Sequence, residues 1–184
     1  YDVVIGGDRG DLLAQMAARQ EEILTAAWAG RAEGLPLKDA YEALIMASIV
    51  EKETGVPEER PLVASVFENR LNEGMRLQTD PTVIYGLTDG KGILGRGLYR
   101  SELARATPYN TYIIQGLPPT PIANPGREAI EAAVRPADSE YLFFVADGTG
   151  GHVFATTLAE HNENVQRWRQ IERQQNQAGQ QPNQ

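Results

Sequence analysis

Residues 43–50, ALIMASIV, carry apolar side chains almost all the way round a helix. A helix of that kind is buried on most sides, so other elements must enclose it. Asp39 precedes it as a cap, with Glu42 three residues on in a capping-box arrangement. It runs straight into Glu51-Lys52-Glu53-Thr54, and Gly55 and Pro57 stop it. Two carboxylates there need a reason, because the helix dipole is negative at that end. At about 100° per residue, Glu53 falls on the face of Met46, Ile49 and Val50, and Glu51 over Leu44, Ala47 and Ser48. Either is placed to be half-buried against apolar side chains. The plainer reading is a helix end that reaches the surface and carries charge there.

Around this helix the pattern is mostly helical. Leu12, Leu13, Met16, Ile23, Leu24, Ala27 and Trp28 predict a helix over about 8–32, closed by Gly30, Gly34 and Pro36. Leu62, Val63, Val66, Phe67 and Leu71 predict another over about 58–73, with Gly74 as its stop. A further helix starts at Thr79 or Asp80, with Pro81 in its first turn. GKGILGRG (90–97) reads as a mobile loop, SELARA as a short helix, and 108–126 as mostly extended. Asn124-Pro125 opens a helix to about Val134. Tyr141–Ala146 and His152–Thr156 flank a DGTGG turn and form the clearest hairpin. A last helix covers about 158–174, and the Gln/Asn-rich residues 175–184 read as a disordered tail. Residues 1–7 read as a short strand ended by Gly6-Gly7. The expected fold is α+β, mostly helical with a β-hairpin and short strands, in a single domain over 1–174.

Several function classes fall away. Of 184 residues, 25 are Asp or Glu and 17 Lys or Arg, a net charge of −8. A net-acidic chain without a basic run is poorly suited to nucleic acid or to an anionic membrane surface. With no cysteine there are no disulfides, thiolate metal sites or cysteine nucleophiles, which fits an oxidising compartment. His152 and His161 lie near Asp147 and Glu160 but without metal-ligand spacing, so no metal and no cofactor is expected. GTGGH joins two strands and is no phosphate loop. Ser48 and Ser101 have no His within sequence reach. No apolar run approaches the ~18 residues of a membrane span. The chain opens on Tyr1 rather than Met, which reads as a fragment or processed product, any anchor then lying upstream.

The carboxylates at 51 and 53 remain. A carboxylic acid kept neutral near pH 7 by burial can protonate a leaving glycosidic oxygen. Two carboxylates two residues apart on one helix point about 160° apart, so Glu51 and Glu53 cannot face one sugar bond together. If the chemistry is glycan cleavage, one of them works and the other is structural. A second cluster, Gln78, Thr79, Asp80, Tyr85, Tyr109, Asn110, Thr111 and Tyr112, combines the amides, carboxylate and aromatic faces that bind sugars. Turn and cap chemistry accounts for the same residue types.

ASIVEKET (47–54), SVFENRL (65–71), MRLQTDPTVIYG (75–86), YNTY (109–112), GLPPTPIANPG (116–126) and YLFFVADGTGGHVFATT (141–157) resemble the MltG/YceG-like family of endolytic murein transglycosylases. The resemblance implies a lyase that cleaves the β-1,4 bond between N-acetylmuramic acid and N-acetylglucosamine in nascent glycan strands, leaving a 1,6-anhydro end. It implies one catalytic residue, Glu53 of the EKET motif, on a lysozyme-like active-site helix. It also implies peptidoglycan synthases as partners and action outside the cytoplasmic membrane through an upstream anchor. Residues 1–7 would then be a remnant of the family's LysM-like subdomain. A muramidase using the same Glu53 with water, and a non-catalytic glycan-binding module, stay as alternatives.

Overall fold

The computed structural model describes Gly6 and residues 8–178. The strand expected over 1–7 falls, apart from Gly6, outside the described residues, as does the tail from 179 onward. The apolar run lies in α2 (Ala40–Glu53), where Ala43 and every residue from Ile45 to Val50 are buried. Packed against it are α1 (Arg9–Ala29), α3 (Arg60–Asn72), α4 (Asp80–Thr88) and α6 (Arg127–Val134). Ser48, the one hydroxyl in the run, donates to Ile45 O at 2.7 Å and accepts from Ile122 N at 2.9 Å. Its burial therefore leaves no polar atom unmatched. Buried Ala129, Ala132 and Ala133 let α6 approach closely.

The helix ends follow from local chemistry. Asp39 caps α2 by accepting from Glu42 N at 2.9 Å. The other half of the expected capping box differs: the Glu42 carboxylate turns to Lys38, accepting from its backbone N at 2.8 Å and its Nζ at 3.0 Å. Gly74, at φ +65°, ends α3 in a Schellman turn, with Gly74 N bonded to Leu71 O and Met75 N to Arg70 O. The helix expected from Asn124 starts only after Gly126, because that glycine's N–H goes to Glu51 Oε2 at 3.1 Å. An anion at a helix N-terminus is favourable, which gives Glu51 a structural use.

The hairpin pairs β1 (Phe143–Ala146) with β2 (His152–Ala155) in antiparallel register, Phe143 opposite Ala155 and Ala146 opposite His152. Asp147 ties its turn by accepting from Thr149 N and Gly151 N. The last helix, α7 (Leu158–Ala178), packs on both strands and runs four residues past the expected end. A Thr157/Glu160 capping box starts it: Glu160 N donates to Thr157 Oγ1 and Thr157 N to Glu160 Oε2.

Two stretches differ from expectation. The α1 stripe reaches the core only at Ile23, Leu24, Ala27 and Trp28, whereas Leu13 is 64% exposed. Residues 107–126 form turns rather than an extended run, because Asn110 gathers the chain: its Nδ2 donates to Leu103 O and Arg105 O, and its Oδ1 accepts from Tyr112 N. Between α4 and α5 (Arg100–Leu103) the glycine-rich loop leaves Ile93 95% exposed. Arg96 lies over the Tyr99 ring at 4.0 Å and pairs with Glu102 at 2.7 Å.

Glu68 in α3 is 4% exposed and its Oε1 has no partner. Burial pushes its carboxyl up to about 8. Below the unfolded value of 4.5 both states hold the proton; between 4.5 and about 8 only the folded state does. Stability therefore falls as pH rises through that window, by about 1.4 kcal/mol per unit at most. Denaturant unfolding of Glu68→Met across pH is expected to match the parent near pH 4 and exceed it at pH 8. Parallel curves would show that Glu68 carries no such penalty.

Candidate active site

A cleft of about 500 Å³ opens where α2 ends. One wall is polar: Glu53, Gln78, Asp80 and Tyr112. The other is apolar and aromatic, from Phe143, Phe144 and Val145 of the hairpin and Leu158 and Val165 of α7, with His161 among them. Arg70 and Phe67 of α3 also line it.

The half-buried Glu53 carboxyl accepts a hydrogen bond from the Thr79 hydroxyl. Thr79 sits at the N-cap of α4, where its oxygen would ordinarily accept from the helix, yet it makes no such bond. The hydroxyl is spent on Glu53. Burial raises the Glu53 carboxyl above its ordinary 4.5, the Thr79 bond pulls it down, and neighbouring Asp80 pushes it up again. His152 and Arg70 pull it down more weakly, and the net shift is upward. Asp80, expected as a cap, instead accepts from Tyr112 OH at 2.7 Å. Burial, then that bond, hold the phenol protonated well above its ordinary range.

Residues after Glu53 fasten it to the hairpin. Thr54 Oγ1 donates to Glu59 Oε2 at 3.1 Å and accepts from Val56 N at 3.0 Å. Glu59 also accepts from His152 N at 2.8 Å and meets His152 Nδ1 at 2.7 Å. Burial raises the Glu59 carboxyl, but these donors together outweigh it and leave the group below its ordinary value. A Cβ on Gly151 would stand 2.7 Å from Glu59 Oε1, so a larger residue there would push on the clamp. The His152 ring meets Phe144 edge-on at 5.3 Å, which links the clamp to the cleft wall.

The sequence-named cluster therefore splits. Gln78, Asp80 and Tyr112 line the cleft with Glu53, and Thr79 touches Glu53 from behind. Thr111 is fully buried, accepting from Thr79 N at 3.0 Å and sharing a bond with Thr82 Oγ1. Asn110 is fully buried at the turn already described. Tyr85 and Tyr109 pack ring against ring at 4.8 Å, and Tyr109 OH meets Thr120 Oγ1. Neither tyrosine lines the Glu53 cleft.

Sequence reading passed over Arg70, weighed His161 and His152 only as metal ligands, and did not foresee the Glu59–His152 pair. Arg70 follows Val63 and Phe67 on one helical face, and an arginine in an apolar stripe was the available signal. Leu158, His161 and Val165 share a face of α7 in the same way. His161 stacks on Phe143 at 5.2 Å, and burial, then Arg70, hold its ring below its ordinary 6.5. Nothing in the local sequence pairs Glu59 with a histidine 93 residues away.

The family model described as the YceG-like family matches residues 1–167, and the chain belongs to that family. It is 46% identical over 123 residues to the endolytic murein transglycosylase of Bacillus subtilis (strain 168), covering 67% of this chain and 33% of that protein. It is 39% identical over 130 residues to the endolytic murein transglycosylase of Streptococcus pneumoniae serotype 2, covering 67% and 23%. A crystal structure of a yceG-like protein from Listeria monocytogenes matches with TM-score 0.61 and 45% identity, over 67% of this chain and 38% of that one. The matched part thus spans a quarter to two-fifths of these relatives.

Gln78 holds φ at +51°, in the left-handed region that ordinary residues avoid. Gln78→Gly is expected to unfold at the same or higher denaturant, and Gln78→Val to lose about 1–2 kcal/mol because a β-branched side chain crowds that backbone. Equal stability of the two variants in urea would show that this backbone is unstrained.

Proposed function

We propose that this member of the YceG-like family is the cleaving part of an endolytic peptidoglycan transglycosylase, with Glu53 as its single general acid and base. The observation that carries the reading is the Glu53 carboxyl, half-buried in the cleft, raised in pKa and held by Thr79. The relatives' names supply the substrate class. In this reading α2 serves as the lysozyme-like helix that presents one acid.

Neutral Glu53 gives its proton to the oxygen bridging N-acetylmuramic acid to N-acetylglucosamine. The C1–O bond breaks and its electron pair stays on that oxygen. The Glu53 carboxylate then takes the proton of the muramyl 6-hydroxyl as O6 bonds to C1. The product is a 1,6-anhydro end and Glu53 is neutral again. The nucleophile belongs to the substrate and gains from proximity. No second carboxylate is required, which agrees with Glu51 being turned toward Gly126. Gln78, Asp80 and Tyr112 face the sugar and bind its hydroxyl and acetamido groups, while Asn110, Thr111, Tyr85 and Tyr109 hold the frame. The hairpin and α7 give the rings an apolar wall. The enzyme acts on nascent strands beside peptidoglycan synthases, outside the cytoplasmic membrane, where an upstream anchor holds it. Residues 1–174 form its catalytic domain.

Purified uncrosslinked glycan strands, analysed by mass, test the reading. Anhydro ends are expected from internal cuts; ends one water heavier would make the protein a muramidase, and no cuts a binding module. Glu53→Gln is expected to lose activity by about 10²–10⁴-fold, whereas Glu51→Gln loses far less. Because Glu53 must start protonated, kcat/KM is expected to fall as pH rises through its elevated pKa. A wild-type rate in Glu53→Gln would remove Glu53 from the mechanism.

A further inference from the structure

Arg70 is 8% exposed, yet it lines the same cleft as Glu53. Its Nε donates to Leu142 O at 2.7 Å and its Nη1 to Leu77 O at 2.5 Å. Leu142 leads into the hairpin wall and Leu77 into the polar wall, so the guanidinium is fixed between the two. The Phe143 ring lies 5.3 Å from it. Among the described residues no carboxylate forms an ion pair with Arg70. Burial lowers its pKa, with Tyr112 and Glu53 opposing, but an arginine stays charged at any working pH. A buried charge is costly unless something compensates it. Two carbonyl oxygens do so in part. A protonated Glu53 adds no counter-charge.

We propose that Arg70 is the electrostatic partner of Glu53: an unpaired guanidinium, fixed across the floor of the cleft, that stabilises the carboxylate left when Glu53 gives up its proton. The proposal rests on the reading of Glu53 as general acid. When the proton moves to the bridging oxygen, Glu53 becomes an anion in a cleft whose lining already holds a fixed cation. Nothing needs to reorganise, and a fixed charge in a site shielded from water acts strongly. When Glu53 takes the 6-hydroxyl proton, both groups return to their starting charges. Arg70 is a positioning residue in this scheme and touches no substrate atom. The other ionisable groups facing Glu53 are Asp80 of α4, which favours the neutral acid, His152 of β2, which disfavours it, and Tyr112 and His161 in the cleft walls. Arg70 is the permanent positive charge among them.

The test compares Arg70→Gln, which keeps an amide donor but no charge, with Arg70→Lys, which keeps the charge. Protein labelled with ¹³C at the glutamate carboxyls is titrated by NMR, with Glu53→Gln assigning the Glu53 signal. In Arg70→Gln, Glu53 is expected to titrate measurably higher, because a positive charge that lowers it is gone; in Arg70→Lys it stays near the parent. On glycan strands, Arg70→Gln is expected to lower kcat about tenfold or more, with little change in KM and with the alkaline limb moved up in step with the Glu53 titration. A loosened wall would admit water and move the Glu53 titration down. Either that result or an unmoved titration overturns the proposal, as does a rise in KM alone, which would make Arg70 a substrate anchor. If Arg70→Gln does not fold, Arg70→Lys decides: a Glu53 titration that rises there, although the charge is kept, overturns it. A wild-type rate in Glu53→Gln would defeat the general-acid reading through the product assay, while the NMR titration still reports whether the two charges are coupled.

Discussion

A carboxyl at the end of an enclosed helix must either keep its proton or find a partner that does not demand its charge. Glu53 is pulled both ways. Burial at the end of α2 favours the proton, and the donor hydroxyl of Thr79 favours the charge, with burial the larger influence. The neighbouring structure is arranged around that constraint. Thr79 forgoes the cap of its own helix, Asp80 turns to Tyr112, and Thr111 receives the Thr79 backbone N–H. Beyond Glu53, the Thr54–Glu59–His152 clamp fixes the hairpin that forms the facing wall.

The elements that were legible in the sequence owe their form to local rules. The all-apolar turn pattern of α2, the glycine that ends α3, the proline at the start of α4 and the Asp-Gly turn of the hairpin each have a nearby cause. The gathering of Glu53 with Gln78, Asp80 and Tyr112 was half legible: the residue types were right for a groove, but the same types build turns. Asn110 shows why. Its amide is as suited to an acetamido group as to Leu103 O, and only the folded chain decides between them. Arg70 was hidden because its apolar neighbours made the face look like core, and His161, weighed only as a metal ligand, turned out to face the cleft. The Glu59–His152 contact depends on how the hairpin folds back, which no local pattern encodes.

The chain as a whole carries −8, yet the cleft lining holds an arginine with no ionic partner among the described residues. Asp80 discourages ionisation of Glu53, while Glu59 spends its own charge on the donors of the clamp. Stability and chemistry pull the same wall in different directions, since Gln78 holds a backbone conformation that a glycine would adopt without strain.

The glycine-rich segment between α4 and α5 supplies none of the side chains around Glu53, and its isoleucine at 93 stands almost wholly in solvent. Lengthening a segment of that kind adds little closure entropy. It is the natural place to splice in an epitope or fluorescent reporter, so that the molecule can be followed in a living cell with its groove intact.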